Sequence, residues 1–165
     1  INLSFVQIVK SNIIKDVLEN IERYSAANNH YVFEITETIE MDQIPAVQNV
    51  FKEFVKNEFR FAIDDFGTGY SNYGYMRDRT FDIVKVDRSF VTDIDKLKDN
   101  YLMVSFIIKM AHEMGLHVCI EGVETKEELS CVKKLGADYI QGYYYGKPVC
   151  LQDFEEQHLK RFVLG

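Results

Sequence analysis

Asp64 and Asp65 stand side by side between an apolar run, Phe61-Ala62-Ile63, and a glycine loop, Gly67-Thr68-Gly69. An apolar run bounded by glycine suits a buried strand. Adjacent strand residues point to opposite faces, so two neighbouring acids cannot both be solvated from mid-strand. At a strand end, where the backbone turns, both can converge on one cation. The bland alternative is an Asx-type turn in which Asp65 caps the loop backbone. Repetition weighs against it. Polar residues also stand at the ends of other apolar runs: Asn2, Glu34, Lys85 with Asp87, Glu121 with Glu124, and Gln141. Six acids on one rim repel each other and raise each other's pKa unless cations sit among them. Hard oxygen donors suit Mg²⁺ or Mn²⁺ rather than zinc. An Asp bridging two ions about 3.5–4 Å apart is a common device for phosphoester hydrolysis.

The elements that carry these residues alternate. Ile1–Ser4 fits the end of a strand, and Ile13–Ile21 has apolar residues at helical spacing. Tyr31–Thr36 is a β-branched and aromatic run, hence a strand. Pro45 opens a helix with Val47, Val50, Phe51, Phe54 and Val55 on one face. Strands are expected at Phe61–Asp64, Phe81–Asp87, Leu116–Glu121 and Asp138–Gln141. Helices are expected at Tyr101–Met114, with Leu102, Phe106, Ile107, Met110 and Met114 apolar, at Glu127–Leu135, and at roughly Leu151–Val163. Gly115 and Gly136 stop the first two.

Strands alternating with helices mean right-handed βαβ units and a parallel sheet. Polar residues at successive strand ends favour a TIM-type (β/α) barrel over a doubly wound sheet, and no GxGxxG turn or P-loop follows any strand. About six of eight strands are present, so the barrel is incomplete by roughly two βα units, expected N-terminal to Ile1. The 165 residues form one domain. A net charge of -7 excludes a protein that coats nucleic acid. No apolar run is long enough to span a bilayer. Cys119, Cys131 and Cys150 match no zinc or redox spacing and read as reduced thiols of a cytoplasmic protein.

Each candidate has a structural alternative. Asn2 is equally a polar residue at a strand edge, Glu34 a partner for a surface lysine, and Gln141 a satisfied core amide. Lys85 lies in an apolar strand, where an unpaired ammonium is costly, so an ion pair with Asp64 or Asp87 is its structural role. Tyr143-Tyr144-Tyr145 read as packing at the barrel rim rather than base stacking. His112 and His117 have no metal spacing and read as structural.

The runs FEITE, DDFGTGYSN, KVDRSFV, EGVET and QGYYYGKP, in that order, resemble the EAL-domain family of cyclic-di-GMP phosphodiesterases. INLS resembles the family's Asn-bearing strand, and the match covers almost the whole chain. The resemblance implies a TIM-type barrel that hydrolyses cyclic-di-GMP to linear pGpG with two Mg²⁺ or Mn²⁺ ions in bacterial signalling. It implies that Asn2, Glu34 and Asp64 are metal ligands, with Asp64 bridging the pair, and that Asp65 holds the second ion. Lys85 matches the lysine that positions the attacking water. Glu121 matches a glutamate that acts as general base or as a further ligand. Gln141 matches a glutamine that holds water or ligand, and Asp87 and Glu124 support the metal site. Glu37 matches the glutamate that anchors the loop Phe66–Asn72, which links metal binding to dimerisation. A homodimer through that loop and the helix after Asp87, and an attached sensor or diguanylate-cyclase domain, are implied as well.

The sequence also departs from the family. The Glu-Ala-Leu motif does not occur in these residues, and Ser71-Asn72 stands where two serines are usual. Two classes follow: a metal-dependent phosphodiesterase, or a catalytically inactive receptor module that binds cyclic-di-GMP or a protein partner.

Overall fold

The computed structural model describes residues 1–10, 12–22, 28–36, 45–68 and 80–156. Five parallel strands pair in chain order: β1 (Val32–Thr36), β2 (Arg60–Phe66), β3 (Ile83–Val86), β4 (His117–Ile120) and β5 (Tyr139–Ile140). This unreversed order is that of a (β/α) barrel; a doubly wound sheet reverses direction at a switch point. The expected strand at Ile1–Ser4 is a single parallel bridge. Asn2 pairs with Glu34, and the amides of Leu3 and Glu34 donate to the carbonyls of Glu34 and Ile1 at 2.9 and 2.8 Å.

Among the described residues, six α-helices accompany the strands: α1 (Phe5–Lys10), α2 (Ile13–Glu22), α3 (Pro45–Lys56), α4 (Lys98–Glu113), α5 (Lys126–Leu135) and α6 (Leu151–Phe154). Sequence spacing locates α2 to α5 to within a few residues, while α1 carries too short a pattern to be read. The expected C-terminal helix beyond residue 156 lies outside the described residues.

Alternation along β1 divides the sheet's two faces. Phe33 and Ile35 are buried towards the helices, whereas Glu34 turns to the other face. On the helix side, Val47, Phe51 and Phe54 of α3 recur at helical spacing and are buried. Phe54 meets Phe33 of the sheet edge-on, and Phe51 meets Phe61 at a tilt of 51°. Phe33 lies 4.8 Å from Phe54 at 80° and 5.4 Å from Phe59 at 89°, arrangements worth about 0.5–1.5 kcal/mol each beyond area burial. This aromatic layer anchors β1 and β2, so their ends are fixed relative to each other.

Helix α4 is found where its spacing places it, and only part of its apolar set is buried. Its buried stripe is Val104, Ile107, Ile108 and Ala111. Leu102, Phe106 and Met114 are exposed. Two apolar stripes run side by side on this helix, and periodicity alone does not say which one meets the sheet. Helix α5 matches its reading. Thr125 and Glu128 form a reciprocal capping box, and Gly136 ends the helix at φ 88°, a left-handed conformation that glycine adopts without strain.

Candidate active site at the strand ends

Lys85 lies in β3, all four of whose residues are buried, and is itself 6% exposed. Its ammonium has three donors, and three carboxylates take them. Asp64 Oδ1 and Glu121 Oε1 each lie 2.8 Å from Nζ, and Glu34 Oε2 lies at 3.0 Å. The acids come from three different chain segments: β1, β2 and the residue after β4. The lysine thus gathers them to one point. Burial alone would lower its pKa, but the hydrogen bonds it donates to Asp64, Glu121 and Glu34 outweigh that and hold it above the ordinary lysine value. Sequence reading offered Asp64 or Asp87 as its partner. Asp64 is the partner found, and Glu34 pairs with this buried lysine rather than with a surface one.

A bulge brings Asp65 to the same rim. Ile63 pairs with Val84, but the next pair is Phe66 with Val86, so β2 carries one residue more than β3 between them. Asp65 absorbs the extra length at φ 55°, where few non-glycine residues sit. Without that irregularity, Asp65 would point away from Asp64. With it, one carboxylate oxygen each from Asp64, Asp65 and Glu121 lies within 4.8 Å of the others. At the loop it is the backbone carbonyl of Asp65 that accepts from the Thr68 hydroxyl at 2.9 Å, which is not the side-chain cap of an Asx turn. Burial, then the charges of Asp64 and Asp87, push the Asp65 carboxyl above its usual range, and Lys85 pulls it back in part. Burial likewise raises Glu121, with the hydrogen bond and charge of Lys85 opposing.

The remaining expected residues surround this cluster. The Asn2 bridge sets it alongside Glu34. Asp87 Oδ1 accepts from the Ser89 amide at 2.9 Å and caps the 3₁₀ turn Arg88–Phe90. Burial would raise its pKa, but the hydrogen bonds at Ser89 and Arg88 bring it below the usual carboxylate range. Asp87, Glu121, Glu124 and Gln141 line one broad cleft of about 730 Å³. Gln141 is exposed there, so it is not a core amide; its backbone amide donates to Ile120 at 2.8 Å and fixes its place. Glu37 lies outside the described residues, as does the part of the loop Phe66–Asn72 after residue 68.

Several residues of this region were missed by sequence reasoning. Arg88 and Lys147 bring positive charge to the cleft, and Lys147 Nζ stands 5.3 Å from the Tyr143 ring centroid. Tyr143 and Tyr145 line it and are exposed, so the tyrosines do not pack as expected. Gly122, at φ 72°, lets two strand-end loops touch: a Cβ there would fall 2.3 Å from Arg88 Cβ. The glycine in EGVET was the available signal, since a Gly beside a strand-end acid marks close backbone approach. His112 and His117 lie elsewhere, at 2.8 and 3.5 Å from Asp138, and are structural as expected.

The donor set fits divalent cations. It consists of hard carboxylate oxygens, brought within reach of one another from separate strands, which is the chemistry Mg²⁺ and Mn²⁺ prefer. The family model for the EAL domain matches residues 1–148.

The chain belongs to the EAL domain family.

Among EAL relatives, cyclic di-GMP phosphodiesterase PdeB of Shewanella oneidensis is 31% identical over 163 residues, covering 99% of this chain and 19% of PdeB. The structure of EAL enzyme Bd1971 with cAMP and cyclic-di-GMP bound is 33% identical with a TM-score of 0.87, over 94% of this chain and 41% of that one. A calcium and cyclic-di-GMP complex of Klebsiella pneumoniae BlrP1 is 26% identical with a TM-score of 0.79, over 87% and 36% of the two chains. The fold class is thus the TIM-type barrel of EAL enzymes. The chain spans about a fifth of the length of several curated relatives it matches, and 41% of Escherichia coli PdeL. Among the described residues, no helix is long and apolar enough to cross a membrane.

Proposed function

We propose that this EAL domain is a metal-dependent phosphodiesterase that hydrolyses one bond of cyclic-di-GMP to give linear pGpG in cytoplasmic bacterial signalling. The observation that carries the reading is the set of carboxylates at the strand ends: Glu34, Asp64 and Glu121 on Lys85, with Asp65 turned to join them. The names of the similar proteins supply the substrate. Asn2, Glu34, Asp64 and Asp65 would hold two Mg²⁺ or Mn²⁺ ions, which when bound supply positive charge facing the phosphodiester.

The chain's own residues do the rest. Glu121, raised by burial, is a better proton acceptor than an ordinary carboxylate and acts as general base towards water. Lys85 holds Glu121 and Asp64 in one arrangement and offsets their charge. Asp87, Glu124 and Gln141 sit on the cleft wall beside Glu121, where they contact ligand and keep the site's shape. Arg88 and Lys147 add cationic charge suited to a cyclic dinucleotide's phosphates.

The intact set of acids favours the enzyme over a non-catalytic receptor. Glu37 as anchor of the loop Phe66–Asn72, and self-association through that loop and α4, belong to the same reading, as does an attached sensor or cyclase domain. Exposed Leu102 and Phe106 on α4 support the second point, and solution mass of the whole protein tests it. The experiment for the activity compares Glu121→Ala with wild type in the whole protein. Turnover should fall about 100-fold or more with cyclic-di-GMP affinity largely kept, as for a group that acts on the transition state. Near-normal pGpG formation by the variant would remove Glu121 from its role.

A further inference from the structure

Glu128 is, with Lys85, one of two buried charged residues among those described. It sits in the first turn of α5, where its capping-box partner is Thr125. A capping box requires only that its carboxylate reach back to the cap residue. This one does more. Oε2 accepts from the amides of Glu124 at 2.9 Å and Thr125 at 3.0 Å. Oε1 accepts from the amide of Asp93 at 3.1 Å, 35 residues away in sequence. Asp93 lies in the turn that follows the 3₁₀ segment Arg88–Phe90, and it holds a left-handed φ of 55°. Three backbone donors on one carboxylate outweigh the effect of burial and keep its pKa low, so it stays ionised.

The two loops joined here both carry site residues. The loop after β3 bears Asp87 and Arg88, and the loop after β4 bears Glu121 and Glu124. They touch directly at Gly122, where no side chain would fit against Arg88. Glu128 ties them a second time, through the amides of Asp93 and Glu124. Two ties fix the angle between the loops as well as their separation.

We propose that Glu128 is a positioning residue for this site: by accepting from Asp93 on one side and Glu124 and Thr125 on the other, its carboxylate sets how the Asp87–Arg88 loop faces the Glu121–Glu124 loop. The proposal rests on the reading of the cleft as a cyclic-di-GMP phosphodiesterase site. Glu128 itself touches no reacting atom.

The test is Glu128→Gln against Thr125→Ala in the whole protein. Gln keeps the shape but offers one oxygen, so an amide donor must face a backbone donor on one side. Thr125→Ala removes only the hydroxyl that accepts from the Glu128 amide at 3.2 Å and weakens the helix cap. Both variants lower Tm. Glu128→Gln should also lower kcat/KM for cyclic-di-GMP about tenfold well below its Tm, while Thr125→Ala stays within about twofold. Amide hydrogen exchange at Asp93 and Glu124 should speed up about tenfold or more in Glu128→Gln alone. Glu128→Asp, which keeps the charge but draws the carboxylate back by one methylene, serves the same comparison should the Gln variant not fold. Activity falling in step with Tm in both variants, or unchanged exchange at Asp93, overturns the proposal. A wild type that leaves cyclic-di-GMP intact would refute the phosphodiesterase reading instead, and the exchange rates would still decide whether Glu128 ties the loops.

Discussion

Replacing Lys85 by methionine removes the one cation shared by Glu34, Asp64 and Glu121 while keeping most of the side chain's apolar volume. Breaking a buried ion pair by deleting one partner costs about 3–5 kcal/mol, because the remaining charge stays desolvated and unpaired. Here the three acids are 25%, 14% and 18% exposed, so water reaches them in part. The lower end of the range, about 3 kcal/mol, is the expected loss without divalent cations. For a chain of this size that is about 6–12 °C in Tm. The loss depends on pH in a definite direction. Burial raises Glu121, and Lys85 opposes the rise. In Lys85→Met the opposition is gone, so Glu121 rises further. A raised folded-state pKa contributes stability that is present below the unfolded value and lost as pH climbs through the folded one. The deficit is therefore largest near neutral pH and shrinks as pH falls through the raised folded-state value of Glu121 towards its unfolded one. Millimolar Mg²⁺ should shrink it as well. Urea unfolding of both proteins followed by far-UV circular dichroism, with EDTA or Mg²⁺ and at several pH values, reads all of this. Equal stability in EDTA at neutral pH, or a deficit that grows on acidification, would refute the reasoning.

Asp64→Asn should weaken Mg²⁺ or Mn²⁺ binding by roughly tenfold or more in isothermal titration, and equal affinity would remove Asp64 from the ligand set. Gly142→Ala places a Cβ 2.1 Å from the Val123 carbonyl oxygen, so a loss of about 3 kcal/mol in urea unfolding is expected, and a neutral result would contradict the close approach. Burial pushes the Cys119 thiol up to about 11, so Ellman's reagent at mildly alkaline pH should label exposed Cys150 at least about tenfold faster, with peptide mapping as the check.

The positions of the acids were legible because strand ends announce themselves. An apolar run, then Asp or Glu, then Gly, recurs at Ile63 to Gly67 and at Ile120 to Gly122, and each time it marks the same rim. Which acids converge was less legible. The bulge that turns Asp65 beside Asp64 arises from the register between β2 and β3, which no local pattern encodes. Lys85 was readable as a buried cation in need of a partner, yet its three acids are distant in sequence and meet only in the sheet. Glu128 looked like an ordinary residue in the first turn of a helix, and its bond to Asp93 is a tertiary contact. The buried face of α4 was not legible, because Leu102 and Phe106 share the helical period of Val104, Ile107 and Ile108.

We propose that the Asp64 rim, loaded with divalent cations, hydrolyses cyclic-di-GMP. The most direct measurement is chromatography of the products after the whole protein is incubated with cyclic-di-GMP and Mg²⁺, run beside Asp64→Asn and beside wild type in EDTA. The account predicts linear pGpG from wild type with Mg²⁺ and none from the other two. Unchanged cyclic-di-GMP in the wild-type reaction, or pGpG formed as fast by Asp64→Asn, would contradict it.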